Sequence, residues 1–179
     1  MQLGTFYLQI INERFSSLKD LGEKTLQQLE ENELHWVYHS SSNSIAVIVK
    51  HLSGNMLSRW TDFLTTDGEK PFRKREQEFE AAGLAVGELM QIWNEGWDTL
   101  FYALGQLEEK DLLKKITIRG EQQTVLEAIE RQLAHYAYHV GQMVLIAKQL
   151  KGDNWESLSI PKGKSEEYLE QMLKKHQQS

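Results

Sequence analysis

The sequence has no cysteine in its 179 residues. Disulfides, thiolate metal sites and a cysteine nucleophile are therefore excluded, and any metal must be held by His, Asp, Glu or water. A reducing cytoplasm suits such a chain. Proline is scarce. Pro71 and Pro161 both fall between helical patterns, which leaves long stretches free to be helical. No segment approaches ~18 uninterrupted apolar residues, so no membrane span is expected. The opening residues, MQLGTFYLQIINERF, lack the basic start and small-residue cleavage site of a secretory signal. Basic charge is in deficit as well. With 20 Lys and Arg against 26 Asp and Glu, the net charge is −6 at pH 7. The broad positive surface of a nucleic-acid binder is missing, and nucleic acid is not expected as a partner.

The length fits one domain with a full hydrophobic core, here taken as residues 1–179. Apolar spacing predicts a first helix over residues 3–31. NELHWVYHSSSNS breaks the pattern and reads as loop. Asn43 or Ser44 can cap a second helix over 44–63. Asp67-Gly68 and Pro71 then open a connection of about 20 residues, a length uncommon in compact domains unless it is functional or crosses the fold. In a four-helix bundle such a crossover lets the second and third helices run parallel. A third helix covers 85–108, with Trp93 and Trp97 read as core. Ile116 and Ile118 alternate with polar residues before Gly120, as in a short hairpin. Thr124 and Glu127 form a capping box for a fourth helix over 124–151, with Gly152 as its stop. Ser165 can cap a last short helix over 166–176.

The chemistry centres on QLAHYAYHVGQM, which places His135 and His139 four apart on one helical face. At 100° per residue, Leu126, Ile129, Leu133, Ala137, Val140, Val144 and Ala147 form one apolar stripe. Glu127, Glu130, Arg131 and Tyr138 fall on a charged arc. The two histidines lie in a second apolar stripe, so this helix is expected to pack against two neighbours. Burying two imidazoles is costly unless their nitrogens find partners. Two core histidines bonded to carbonyls or water satisfy that need as well as a metal does. The glutamate of H-E-x-x-H is absent, with Tyr136 in its slot, which removes the zinc-protease reading.

A third ligand decides between these readings. His176 lies near the C-terminus, and His35 and His39 lie in a segment that reads as loop. His51 lies in the middle of the second helix, at the edge of its apolar stripe, on a polar line with Asn55 and Arg59. One histidine from that helix and two from the fourth would make a facial three-nitrogen site, a known catalytic coordination set when water fills the fourth position.

SNSIAVIVKHLSGNMLSRWTDFLTTDGEKP, TVLEAIERQLAHYAYHVGQMVLIAKQL and SLSIPKGKS together resemble the DinB-like superfamily (DinB/YfiT-like metalloenzymes), in its DUF1572-type branch. The resemblance implies an all-α four-helix bundle of up-down-down-up topology. It implies a divalent metal, zinc or nickel, on His51, His135 and His139. It also implies kinship with transferases and isomerases that use bacillithiol, mycothiol or glutathione, and a homodimer. The superfamily takes its name from a damage-inducible gene, and the acidic composition here argues against a DNA-repair role.

The function expected from the triad and the resemblance is a metal-dependent transferase using a low-molecular-weight thiol. The alternatives are a non-catalytic, metal-stabilised interaction or stress protein, or a metal-dependent hydrolase. An open fourth position facing a cleft favours catalysis; a closed four-ligand shell favours the structural class. Asn55 and Gln142 are candidates for orienting a ligand or binding substrate. Arg59 is a further substrate-binding candidate beside a plainer reading as a surface ion pair. Arg73, Lys74 and Arg75 read most simply as a solvated charge run, with a cofactor's carboxylates as the sharper alternative.

Overall fold

The computed structural model describes residues 2–80 and 83–177, without the side chain of His176. Four long helices form the body: α1 (Leu3–Leu26), α3 (Ile45–Trp60), α4 (Val86–Gly105) and α5 (Val125–Lys151). Between α1 and α3 lies one helical turn, α2 (Glu31–Leu34). A two-stranded antiparallel hairpin, β1 (Lys115–Ile118) and β2 (Glu121–Thr124), precedes α5, and a short α6 (Ser165–His176) closes the chain. Among the described residues, no helix is long and apolar enough to cross a membrane.

The pairs of residues that meet fix the helix directions. Tyr7 bonds Glu130, Phe15 meets Tyr136 and Gln28 bonds the backbone of Glu156, so α1 and α5 run parallel. Gly22 abuts Trp93 while Phe15 meets Trp97, so α4 runs against α1. Ile48 lines a cleft with Ile146, whereas Trp60 bonds Tyr136, so α3 opposes α5. Ser53 packs on Gly96, and Trp60 lines a second cleft with Ala103, so α3 and α4 are parallel. The topology is up-down-down-up, as the long crossover predicts.

Each long helix contributes one aromatic residue to the centre of the bundle. Phe15 lies 6.3 Å from Trp60, 6.4 Å from Trp97 and 5.9 Å from Tyr136, ring centre to ring centre. All four are almost fully buried, and edge-to-face pairs of this kind add about 0.5–1.5 kcal/mol each beyond area burial. Two of the three polar tips of this layer are satisfied, while the buried Trp97 indole N–H has no hydrogen-bond partner among the described residues. The Tyr136 hydroxyl accepts the Trp60 indole N–H at 3.0 Å and donates to Asn55 Oδ1 at 3.0 Å. Trp93 and Trp97 are core, as expected.

Several boundaries differ from the sequence reading. The first helix stops at Leu26, not at 31, because 3₁₀-type bonds at Gln28 and Leu29 tighten the chain and Glu33 accepts the Glu30 N–H to start α2. Ser44, rather than Asn43, caps α3 by accepting the Val47 N–H. That helix ends at Trp60, where Thr61 turns extended and Asp62 takes a positive φ of 47°. Ser165 begins α6 rather than capping it. The hairpin and the Thr124–Glu127 capping box form as expected.

The inward face of α5 is also displaced. Ala137, placed on the first apolar stripe, is exposed, while Leu126, Leu133 and Val144 are only partly buried. The deepest line runs through Val125, Ile129, Gln132, Tyr136, Val140, Met143 and Ala147, midway between the two stripes. The helix therefore presents Tyr136 to the bundle centre and the histidines to one flank of it.

The crossover is anchored at both ends. Asp67 accepts backbone N–H groups from Glu69, Arg119 and Gly120, and Gly68 donates to Thr117, which ties the start of the crossover to the hairpin. A 3₁₀ turn at Arg75–Phe79 then packs against α3. Lys50 fastens it by donating to the carbonyls of Gln77 and Glu80.

Candidate metal centre

The middle of α3 brings His51 to the flank of α5 that carries His135 and His139. The ring centres are 5.3 Å apart for His51–His135, 4.9 Å for His51–His139 and 4.7 Å for His135–His139. One ligand nitrogen from each lies within 4.8 Å of the other two, so the group could hold a metal ion. His51 Nε2 stands 3.3 Å from His135 Nε2. Two imidazole nitrogens on a tetrahedral ion at ~2.0–2.1 Å would be about 3.3–3.4 Å apart. That pair already has the spacing of a bound ligand pair, and the third nitrogen lies within 4.8 Å of both.

The outer nitrogens are fixed. His51 Nδ1 is 2.9 Å from Glu78 Oε2. A carboxylate only accepts, so Nδ1 donates and a neutral His51 keeps its Nε2 lone pair facing inward. His139 Nδ1 is 2.8 Å from Gln142 Oε1. The Gln142 amide nitrogen is used in donating to the Tyr138 hydroxyl, which leaves its carbonyl to accept from His139. Such outer partners orient metal-ligating histidines and raise their basicity.

Protonating one imidazole here would bury a positive charge beside its neighbours, and the titration behaviour reflects that cost. Burial, then the neighbouring His139 and His51, push His135 down to about 3. His139 is lowered too, first by burial and then by His51, against an opposing bond from Gln142. Both imidazoles are therefore held neutral at pH 7, the form that binds a metal.

Glu78 is 6% exposed, and burial alone would raise its pKa. Bonds from His51 and from Arg73 outweigh that, and its carboxyl is held below the ordinary range. Arg73 grips Glu78 with Nε at 2.7 Å and with a second nitrogen at 3.0 Å. The backbone permits this approach only because residue 54 is glycine. A Cβ there would lie 2.5 Å from Glu78 Oε1.

The triad opens on a cleft of about 380 Å³ lined also by Asn43, Asn55, Gln132, Phe79 and several arginines. Clefts of about 530 and 750 Å³ lie elsewhere on the bundle, but neither gathers histidines. Size does not select the site; converging imidazoles do.

Arg59 is not a surface residue. It is 5% exposed, pairs with Glu69 at 3.2 Å and donates to the Gly68 carbonyl. Arg73 likewise leaves the solvated run to hold Glu78, whereas Lys74 and Arg75 stay exposed. Among the described residues Asn55 forms no hydrogen bond with His51; it accepts from Tyr136. His35 bonds the Leu84 carbonyl at 2.9 Å and His39 accepts from the Ser41 N–H, both away from the triad. The side chain of His176 lies outside the described residues. Glu78 is not legible from sequence, because it sits 27 positions from its partner in a segment without periodicity.

Fold and site together define a helical-bundle protein with a three-histidine constellation suited to a divalent cation. More particularly, the chain belongs to the family described as Protein of unknown function (DUF1572), whose profile matches residues 2–164. No curated protein and no solved structure matches the chain.

Proposed function

We propose that this protein is a DinB-like metalloenzyme that holds zinc or nickel on His51, His135 and His139 and transfers a low-molecular-weight thiol to an electrophile. The observation that carries the reading is the open side of the triad. Among the described residues, the metal-binding group contains three histidines and no carboxylate. Glu78 is committed to the outer nitrogen of His51, and the remaining side faces the cleft. A structural zinc site closes with four protein ligands, whereas a catalytic one keeps a position open. The geometry thus favours catalysis over a metal-stabilised interaction protein.

A divalent ion bound there would act as a Lewis acid and lower the pKa of a thiol or water beside it. The chain has no cysteine, so the sulfur must come from a small molecule. In the transfer, a sulfur–carbon bond forms, the bond from that carbon to its leaving group breaks, and the thiol proton departs with the leaving group. The chain's own residues prepare this. Glu78 and Gln142 fix the tautomers of His51 and His139, and Arg73 keeps Glu78 ionised.

Metal analysis by mass spectrometry on tag-free protein tests the site, with His51→Ala and His139→Ala alongside. Near-stoichiometric metal is expected in the wild type only; retention in both variants removes the assignment. A transferase assay with bacillithiol, glutathione and coenzyme A against a generic electrophile then compares metal-loaded with chelated protein. Activity confined to a hydrolysable substrate would favour a hydrolase instead. A homodimer and a cytoplasmic location belong to the same reading, and sedimentation analysis checks the first.

A further inference from the structure

The charge around the triad runs against the composition of the chain. The protein carries a net charge of −6. Yet every arginine except Arg14 lines the 380 Å³ cleft: Arg59, Arg73, Arg75, Arg119 and Arg131. Among the described residues, no lysine, aspartate or glutamate lines it. They arrive from α3, the crossover, the hairpin turn and α5, so no single charged segment explains the grouping.

Part of this charge is neutralised from behind. Glu78 takes Arg73, and Glu69 takes Arg59 and Arg119. Arg75 and Arg131 have no carboxylate partner among the described residues. The cleft keeps a surplus of positive charge beside the histidines. A second observation points to a ligand in the same place. Gln132 lines the cleft at 4% exposure, and its Oε1 has no hydrogen-bond partner among the described residues. A buried amide end left unpaired in a cleft wall is a group awaiting a partner.

We infer that the cleft binds a small molecule carrying at least two oxyanion groups, phosphate or carboxylate, with Arg75 and Arg131 as direct contacts and Gln132 Oε1 accepting from a hydrogen-bond donor of the same molecule. Arginine to the exclusion of lysine is the selection expected for planar, two-pronged recognition of oxyanions. A volume of 380 Å³ suits a metabolite rather than a polymer. The inference deepens the function proposed above and rests on it for where the reacting atom sits, though not for the anion contacts.

Isothermal titration calorimetry on the full chain, stripped of metal and freed of chelator, tests this with pyrophosphate, tricarballylate and acetate as probes. One equivalent of pyrophosphate or tricarballylate is expected to bind, with acetate far weaker. Whichever polyanion binds better identifies phosphate or carboxylate as the source. The double variant Arg75→Gln/Arg131→Gln should weaken that binding by roughly tenfold or more, since bonds to charged groups are the strong ones. Both residues are exposed, so the variant is expected to fold, and a thermal melt checks that. No binding of either polyanion to the wild type, or equal binding to the variant, overturns the inference. Zinc affinity measured on the same two proteins separates the outcomes. Loss of zinc binding with anion binding intact removes the metal reading alone; zinc binding without anion binding removes this one alone.

Discussion

His51 Nδ1 and Glu78 Oε2 lie 2.9 Å apart, joining the middle of α3 to the crossover that passes over it. The bond fixes which imidazole nitrogen faces the other two histidines. Replacing the carboxylate in Glu78→Gln keeps the shape but removes the charge that holds both His51 and Arg73. Zinc affinity is expected to fall roughly 10–100-fold, the usual consequence of losing such an outer partner. Competition with a chromogenic chelator measures it. An unchanged affinity would show that Glu78 serves only to neutralise Arg73.

Gly54→Ala approaches the same contact without touching its chemistry. The new Cβ would lie 2.5 Å from Glu78 Oε1, and that carboxylate, gripped by Arg73 and His51, has little freedom to retreat. Overpacking of this kind costs about 1–3 kcal/mol. A lower urea midpoint and a reduced zinc affinity are expected together. A variant that binds zinc as tightly as the wild type would mean that the crossover shifts as a unit and carries Glu78 with it.

These contacts mark where sequence reading stops. The four long helices were legible because apolar residues recur at helical spacing, and the pairing of α3 with α4 followed from the length of the crossover. The three histidines were legible because helices convert spacing into facing. Glu78 and Arg73 were not, since the 3₁₀ turn that carries Glu78 has no periodic signal and its partner is remote in sequence. The inward face of α5 was misplaced for another reason. A wheel weighted by hydropathy follows Leu126, Leu133 and Val144, but the bundle centre is occupied by Tyr136, whose hydroxyl is admitted because Trp60 and Asn55 satisfy it. Leu29 kept helical spacing although the backbone had already turned.

Metal-free protein should lose stability on mild acidification. Burial and two neighbouring imidazoles hold folded His135 at about 3, against an ordinary value of 6.5 that the unfolded chain retains. Below pH 6.5 the unfolded state takes up a proton that the folded state resists. Stability is therefore full above pH 6.5 and declines as the pH falls toward 3. His139, lowered in the same direction, adds to the decline. Melting temperatures of chelated protein at pH 7.5, 6.5, 5.5 and 5.0 test this above the range where most carboxylates titrate. His135→Gln should flatten the curve over that interval; an equal slope in the variant would assign it to other groups.

Tyr136→Phe separates the bundle centre from the metal site beside it, since Tyr136 directly follows His135 and the two ring centres are 5.5 Å apart. The hydroxyl bonds both the Trp60 indole N–H and Asn55 Oδ1, and its pKa is raised chiefly by burial, so it is a neutral donor at any ordinary pH. Removing it leaves two orphans of unequal cost. Asn55 lines the cleft and can turn its carbonyl to water there, but the Trp60 indole is 2% exposed and has no such recourse. An unsatisfied buried donor costs about 1–3 kcal/mol, and the variant should be less stable by that amount. None of the three imidazoles bonds this hydroxyl, so zinc should still bind one per chain. A lower urea midpoint with zinc stoichiometry retained is the expected result. An unchanged midpoint would show that the Trp60 donor finds another partner, and loss of zinc would show that the aromatic layer sets the spacing of the histidines as well as the stability of the bundle.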